Sequence, residues 1–330
     1  MLKFRCNNLL VTGGSGFIGS NFINYVLNKY NEVKIYNLDD LTYAGDKSNT
    51  NAFKENRRYN FIKGNICDSN LLHEIFKKYK IDGVINFAAE SHVDNSIENP
   101  NIFVNTNILG VFELLKAACN FWMDKNYDYK EEFKNSRFHQ ISTDEVYGSI
   151  DVGSFTEADK YKPNSPYSAS KASADMLVRS FNKTYGLNTT VSISSNNFGI
   201  NQNDEKLIPK ILNCLKTNSE IPIYGNGSNS RDWIFVEDNC SAIDLIFNRA
   251  KSGEEYNIAS GNELTNLELV SLISEIMLIE YKINFVSDRL GHDFRYSLNT
   301  EKIKKDLGWF PTNEFKISLK NYINQQINKK

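Results

Sequence analysis

The sequence predicts an α/β fold: a parallel sheet wound with helices on both faces, followed by a smaller α/β lobe. Three observations predict it. Short apolar runs alternate with amphipathic stretches through the first half of the chain, the pattern of strand–helix units. A glycine-rich turn, Thr12-Gly13-Gly14-Ser15-Gly16-Phe17-Ile18-Gly19, joins the first apolar run to the first amphipathic stretch. Beyond Asn196 the alternation loses its regularity.

The elements follow in order. Leu9–Thr12 reads as the first strand, Phe17 to Tyr30 as a helix and Val33–Leu38 as the second strand. Asn60–Lys63, Gly83–Ala88 and Phe138–Ser142 read as further strands, with helices at Leu71–Tyr79 and Phe103–Phe121. Lys125–Ser136 is charged and polar and reads as a surface loop. A long helix is expected from Ser165 to Tyr185, stopped by Gly186. Residues 1–195 are expected to form the main domain and residues 196–330 most of the lobe, with the chain free to cross back. In the lobe, strands at Ile221–Tyr224, Tyr256–Ile258 and Asn284–Val286 mix with helices at Asn239–Lys251 and Asn266–Leu278. The tail, Asn321–Lys330, is expected to fray.

Composition narrows the function classes. The chain has 330 residues and a formal net charge of −2, so bulk attraction to nucleic acid or an anionic membrane is not expected. The five cysteines, Cys6, Cys67, Cys119, Cys214 and Cys240, are odd in number, widely spaced and without a C-x-x-C pair. Neither a disulfide framework nor a metal site is expected. Met1 to Asn8 lacks an apolar leader core, and no run approaches the roughly 18 apolar residues of a membrane span. These readings describe a soluble, cytoplasmic protein.

The glycine-rich turn carries the first chemistry. Gly13, Gly16 and Gly19 follow a strand and open a helix, where backbone N–H groups and the helix dipole receive a pyrophosphate. Together they predict a Rossmann-type doubly wound sheet. Asp39 ends the second strand, twenty residues after Gly19. A carboxylate there accepts ribose hydroxyls and repels a 2′-phosphate, which favours NAD over NADP. Asp40 beside it reads first as a solvated loop acid, though it remains a candidate cofactor contact.

Tyr167 and Lys171 stand four residues apart on the long helix, on one face. A phenol is a poor base at neutral pH; a nearby ammonium stabilises its phenolate and is expected to make it usable. Ser142-Thr143-Asp144-Glu145-Val146-Tyr147-Gly148 puts two adjacent carboxylates at the carboxyl end of a strand, where such sheets bind ligands. Elimination of water needs a base on one carbon and an acid at the neighbouring oxygen; an epimerisation needs neither.

The glycine turn and the Tyr167–Lys171 pair resemble the extended short-chain dehydrogenase/reductase family. The Thr143-Asp144-Glu145 segment resembles the nucleoside-diphosphate-glucose 4,6-dehydratases within it. Ala88-Ala89-Glu90-Ser91-His92-Val93-Asp94, Ser195-Asn196-Asn197, Glu205-Lys206-Leu207-Ile208-Pro209, Pro222-Ile223-Tyr224-Gly225, Arg231-Asp232-Trp233, Asp288–Asp293 and Leu307-Gly308-Trp309 extend the resemblance over nearly the whole chain.

The resemblance implies a mechanism. Tyr167, helped by Lys171, takes the sugar O4 proton while hydride passes from C4 to NAD⁺. Glu145 removes the C5 proton, Asp144 protonates the departing 6-hydroxyl, and hydride returns to C6. Thr143 holds the substrate near O4. Implied cofactor contacts are Gly13, Gly16, Phe17, Ile18, Gly19, Asp39, Asp40, Leu41, Thr42, Asn65, Ile66, Ala88, Ala89, Ser91, Thr106, Tyr167, Lys171 and Asn197. Implied substrate contacts are Ser91, Thr143, Asn196, Lys206, Leu207, Pro222, Ile223, Tyr224, Arg231, Asn266, Arg289 and His292. Arg231 and Arg289 suit a diphosphate, because a guanidinium forks onto phosphate oxygens. His92 reads as a structural histidine, and Trp233 and Trp309 as core.

Five places depart from the family pattern. Asn65 replaces an aspartate near the adenine, Phe198 a tyrosine, Leu290 a proline and Phe294 an arginine, and Asn201–Asp204 lacks the usual aromatic and proline. The changes at 201–204, 290 and 294 are expected to border the nucleotide pocket and so to bear on the base. dTDP-glucose is slightly favoured over UDP-glucose. The resemblance also implies a homodimer paired through the Tyr167 helix and the Phe103–Phe121 helix. Competing readings are an NAD-dependent UDP-sugar epimerase or decarboxylase and a non-catalytic NAD-binding protein.

Overall fold

The computed structural model describes residues 4–328. Seven strands form the main sheet: β1 (Asn8–Thr12), β2 (Lys34–Asp39), β3 (Tyr59–Lys63), β4 (Gly83–Asn86), β5 (Arg137–Thr143), β6 (Thr189–Ser194) and a seventh, Glu254–Ile258. All pair in parallel, in the order seventh-β6-β5-β4-β1-β2-β3. The chain winds outward from β1 to β3, then returns to β4 and winds the other way. The reversal between β1 and β4 opens a crevice at the carboxyl edge, where ligands bind in such sheets.

Both faces are covered, so β1, β2, β4, β5 and β6 are buried along nearly their whole length rather than on alternate residues. Helices Phe17–Lys29 and Val236–Arg249 bury Phe22, Ile23, Val26, Ile243, Ile246 and Phe247 on one face. Helices Ser69–Tyr79, Pro100–Trp122 and Pro166–Tyr185 bury Leu72, Phe76, Leu114, Leu115, Trp122 and Val178 on the other. Pro100–Trp122 is long and apolar enough to cross a membrane by length and composition, against the expectation from the sequence. It carries Glu113 and Lys116 and packs Leu114, Leu115 and Trp122 against the sheet, which is the placement of a core helix. Fully buried Arg137 donates to the carbonyls of Ile246, Phe247 and Ala250, satisfying the C-terminal end of helix Val236–Arg249.

The lobe over the carboxyl edge has its own core of Ile208, Ile211, Leu212, Leu269, Ile273, Leu319 and Tyr322. Its strands form a three-stranded and a two-stranded sheet. Three expectations need correction. Strand Glu254–Ile258 completes the main sheet beside β6 rather than the lobe. Helix Val236–Arg249 packs with it on the main sheet. The tail does not fray from Asn321: helix Phe315–Asn328 buries Leu319, Tyr322 and Ile323, and only residues 329–330 lie outside the described part. All three turn on contacts distant in sequence. Within Lys125–Ser136, Phe133 is buried, so this segment is anchored rather than a free loop.

Candidate active site

A cleft of about 480 Å³ runs from the glycine turn, past the end of β5, into the lobe. Its cofactor end is built from local geometry. Gly13 has φ +68°, and a Cβ there would sit 2.6 Å from the Ala88 nitrogen. Gly19 abuts the Gly13 carbonyl, letting the helix pack onto the turn. At Gly16 a Cβ would meet only the Gly13 carbonyl, at 3.3 Å, and the Ala44 carbonyl, at 3.9 Å; the space beyond lies in the cleft. The first helical hydrogen bond is Ser20 N to the Gly16 carbonyl, so the N–H groups of residues 17–19 remain for a ligand. The Asn37 side chain accepts from Gly14 N at 3.0 Å and fixes the turn from beneath. A pyrophosphate fits this cradle. Gly13→Ala is expected to destabilise the protein by about 1–3 kcal/mol and to lower the NAD carried through purification, measured by thermal unfolding and cofactor content.

Asp39 lines the cleft, buried, and accepts from Ser15 N and Leu41 N, each at 2.8 Å. Asp40 and Asn65 meet across it, with Asn65 Nδ2 donating to Asp40 at 2.9 Å. Asn65 therefore serves a polar role where the family has aspartate. Phe17, Ile18, Thr42, Ile66, Ala88, Ala89, Ser91, Thr106 and Asn197 also line the cleft. The Asn197 side-chain oxygen is buried without a hydrogen-bond partner, which leaves it for a ligand. Leu41 is the exception: it adopts φ +54° to turn its N–H onto Asp39 and does not line the cleft.

The chemical end lies where β5 ends. Thr143 is the last residue of the strand, and Asp144 and Glu145 begin a single helical turn capped by the Thr143 side chain. The helix Pro166–Tyr185 starts at a Ser165–Ser168 capping box with Pro166 in the first turn, which pins Tyr167 against the cleft. Gly186 ends it in the left-handed conformation, as the sequence predicts.

The electrostatics divide the two carboxylates. Asp144 is 3% exposed, and burial, with the Glu145 charge beside it, pushes its carboxyl up to about 8. Burial also raises Glu145, but Arg231, Lys206 and Arg289 oppose the shift. Asp144 is thus the partner that keeps a proton at neutral pH, whereas the upward shift of Glu145 is opposed by three cations.

Lys171 reaches the Ile141 carbonyl at 2.6 Å and shares its buried setting with Asp175, whose other partner is the Ser142 hydroxyl. The expected lowering of Tyr167 does not hold in the protein alone. Burial and the Glu145 charge raise the phenol, while Lys171 spends its ammonium on a carbonyl and on Asp175. Any lowering must come from charge delivered with bound cofactor.

The lobe supplies the cations. Arg231 donates to the carbonyls of Ser230, Asp293 and Phe294 and lies 4.2 Å over the Tyr296 ring. Arg289 forks onto Asp94 at 2.5 and 2.9 Å, and Tyr224 donates to the same carboxylate. His292 Nδ1 lies 2.7 Å from Asp288. Lys206 bonds the Ser91 carbonyl at 3.2 Å, and Asn196, Leu207, Pro222, Ile223 and Asn266 complete the lining.

Several cleft residues escape a reading by motif. Asp94 clamps Arg289. Behind the lining, Asn107 sits in a π-helical turn, Val104–Gly110, that rotates it inward; it bridges Glu90 to Ser170 of helix Pro166–Tyr185. Trp233, expected in the core, is buried yet lines the cleft with its indole N–H unpartnered. His92 caps a short helix through Nδ1, the structural role expected, while also lining the cleft. Trp309 is core and donates to Ser241. Phe198 packs between Phe235 and Phe315 in the lobe core, and Leu290 and Phe294 are exposed. None of these three lines the cleft, so the changes at 290 and 294 do not border the pocket as expected, whereas Gln202 and Asn203 do line it.

A dinucleotide crevice opening onto a Tyr–Lys pair and two adjacent carboxylates defines an extended short-chain dehydrogenase/reductase acting on a sugar. The family model described as GDP-mannose 4,6 dehydratase matches residues 10–322, and the chain belongs to that family. Among its relatives, the dTDP-glucose 4,6-dehydratase of Haemophilus influenzae is 45% identical over 95% of this chain and 96% of its own length. Among solved structures, DesIV of Streptomyces venezuelae, a dTDP-glucose 4,6-dehydratase with NAD bound, superposes with a TM-score of 0.91 at 38% identity over 98% of this chain and 97% of its own. The UDP-glucose 4-epimerase of Thermotoga maritima superposes at 0.86 and 27% identity, over 97% and 98%. The fold is therefore common to both reactions and does not by itself separate them.

Proposed function

We propose that the chain is an NAD-dependent dTDP-glucose 4,6-dehydratase, releasing water and a 4-keto-6-deoxy sugar nucleotide without net oxidation. The carrying observation is the Asp144–Glu145 pair, one buried and proton-holding, the other faced by three cations. Bound NAD⁺ supplies an acceptor for the C4 hydride and the donor that restores hydride at C6. Tyr167 takes the O4 proton. The C4 ketone acidifies C5, and Glu145 removes that proton. Asp144 protonates the leaving 6-hydroxyl. Arg231 and Arg289, held by carbonyls and by Asp94, neutralise the diphosphate. An epimerase has no use for this acid–base pair, which is why we rank that reading lower. UDP-glucose remains the secondary substrate. The test is incubation with dTDP-glucose and UDP-glucose separately, following product mass: loss of one water, faster from the dTDP sugar, is expected, and unchanged mass with both would sink the reading.

The pair predicts a pH dependence. Asp144 works as an acid only while protonated, and its pKa of about 8 lies above neutrality. kcat/KM should therefore hold through neutral pH and fall as pH rises past about 8. A flat profile to pH 10 would contradict the assignment.

We further propose a homodimer through helices Pro100–Trp122 and Pro166–Tyr185, which leave Ile102, Val104, Leu109 and Met176 exposed. Light scattering should give twice the chain mass, and Leu109→Glu should halve it. The five cysteines are unpaired, which suits a reducing compartment, and we assign the protein to the cytoplasm.

A further inference from the structure

A nucleotide sugar is gripped at one end and transformed at the other. In the proposed reaction the diphosphate goes to Arg231 and Arg289, while C4, C5 and C6 must meet Tyr167, Glu145 and Asp144. Turnover then depends on the separation between the grip and the acid–base groups, where an error near 1 Å costs about 10²-fold in rate.

Residues 291–296 touch both ends. On the grip side, the Asp293 carbonyl accepts from Arg231 Nη2 at 2.9 Å, and the Phe294 carbonyl from Nη1 at 3.1 Å. On the chemical side, Asn164 Nδ2 donates to Asp293 Oδ1 at 2.6 Å. Asn164 immediately precedes Ser165, the cap of the helix that carries Tyr167. The Ser149 hydroxyl accepts from Phe294 N and Arg295 N at 3.1 and 3.2 Å. Ser149 follows Gly148, which ends the turn that carries Asp144 and Glu145. Between Ser149 and Asn164 the chain has no helix, and one isolated bridge from Phe155 to Leu298. The two catalytic elements are thus joined by a loop whose two ends both rest on residues 293–295. Gly291 permits the close approach: it has φ +65°, and a Cβ there would lie 2.5 Å from the Asn164 carbonyl oxygen.

Asp293 is the point the two sides share. It is buried, and its second carboxylate oxygen accepts from the Tyr296 hydroxyl at 2.8 Å. The Tyr296 ring in turn carries Arg231, 4.2 Å above its centroid. Each carboxylate oxygen already takes a hydrogen bond from the protein, so this group orients its neighbours. We propose that Asp293 is a positioning residue that sets the register of the sugar against the acid–base groups, its main chain holding Arg231 and its side chain holding the start of the Tyr167 helix. This assignment rests on the dehydratase reading and adds to it a residue outside the reacting set.

The experiment measures kcat on dTDP-glucose and the dissociation constant of dTDP, by titration calorimetry of the NAD-loaded protein. It compares the wild type, Asp293→Ala, Asp293→Asn, Asn164→Ala and the double alanine variant, with thermal unfolding to verify that each is folded. Asp293→Ala should lower kcat by about 10²-fold, because the stretch before the Ser165 cap loses its anchor. dTDP should bind as in the wild type, because Arg231 is held by main-chain carbonyls that the substitution keeps. Asn164→Ala should show the same split, and the double variant should be no slower than Asp293→Ala, since both remove one contact. Asp293→Asn should restore most of kcat: its amide oxygen still accepts from Asn164, and its NH2 donates to the Tyr296 oxygen. Unchanged kcat in both single alanine variants, loss of dTDP affinity alongside kcat, additive losses in the double variant, or Asp293→Asn as slow as Asp293→Ala would each overturn the assignment. If Asp293→Ala does not fold, Asn164→Ala decides: slower turnover with wild-type dTDP affinity upholds the assignment, and wild-type turnover overturns it. Absence of dehydrated product from the wild type would instead overturn the dehydratase reading on which it rests.

Discussion

Glu145→Gln is expected to lower kcat by about 10²–10⁴-fold, the span of a lost general base, while leaving the protein as stable as the wild type or more so. The two halves of this result have separate causes. Activity falls because an amide cannot take the C5 proton once C4 is a ketone. Stability holds because the glutamate is a strained guest in its pocket. Its folded pKa lies above the ordinary carboxylate value, driven first by burial. Folding therefore favours the protonated form. Above the folded pKa, the buried anion weighs against the native state, and a neutral amide removes that penalty. The measurement pairs steady-state kinetics with thermal unfolding at pH 7, and adds solvent deuterium. The wild type should incorporate deuterium at C5 of the product, because Glu145 can exchange its proton before returning it. The residual product of Glu145→Gln should carry less. Full turnover by this variant would remove the role of C5 base from Glu145.

Tyr167→Phe should be at least as damaging. The ring packs edge-on against Phe103, with centroids 6.3 Å apart, and phenylalanine keeps that contact. Only the hydroxyl is lost, so the fold and the nucleotide contacts proposed for Arg231, Arg289 and Lys206 should survive. kcat and kcat/KM should fall together by about 10³-fold or more with KM little changed, the mark of an interaction made in the transition state. A rise in KM with kcat unchanged would mean that Tyr167 only binds substrate. Because burial and Glu145 raise the Tyr167 phenol in the protein alone, its activation depends on the positive charge delivered with the oxidised cofactor. Lys171, committed to the Ile141 carbonyl, orients more than it titrates.

What the sequence made legible follows from the range of the interactions. The glycine turn, Asp39, the Thr143–Glu145 segment and the Tyr167–Lys171 pair each depend on neighbours within a few residues, so local spacing, read with the family resemblance, pointed to them. Gly186 as a helix stop and Ile221–Tyr224 as a strand are local in the same way. What escaped depends on partners far along the chain. Asp94 earns its position from Arg289, 195 residues away. The strand Glu254–Ile258 joins β6 because helix Val236–Arg249 carries the chain back to the main sheet. Asn107 faces inward only because a π turn breaks the helical phase that periodicity assumes. Leu41 differs for the reverse reason: a cofactor-loop position in the motif, it turns its N–H onto Asp39 and does not line the cleft. The opposite signs expected and found for Tyr167 have a similar origin. Four-residue spacing places Lys171 on the same helical face, but it does not reveal that Ile141 and Asp175 compete for the ammonium.

The most direct test of the central claim uses dTDP-glucose carrying deuterium at C4. Internal hydride return predicts a product lighter by one water that retains the deuterium, now on the C6 methyl, with no net reduction of cofactor. Unchanged substrate mass, or a dehydrated product whose C4 deuterium has washed into solvent, would contradict it.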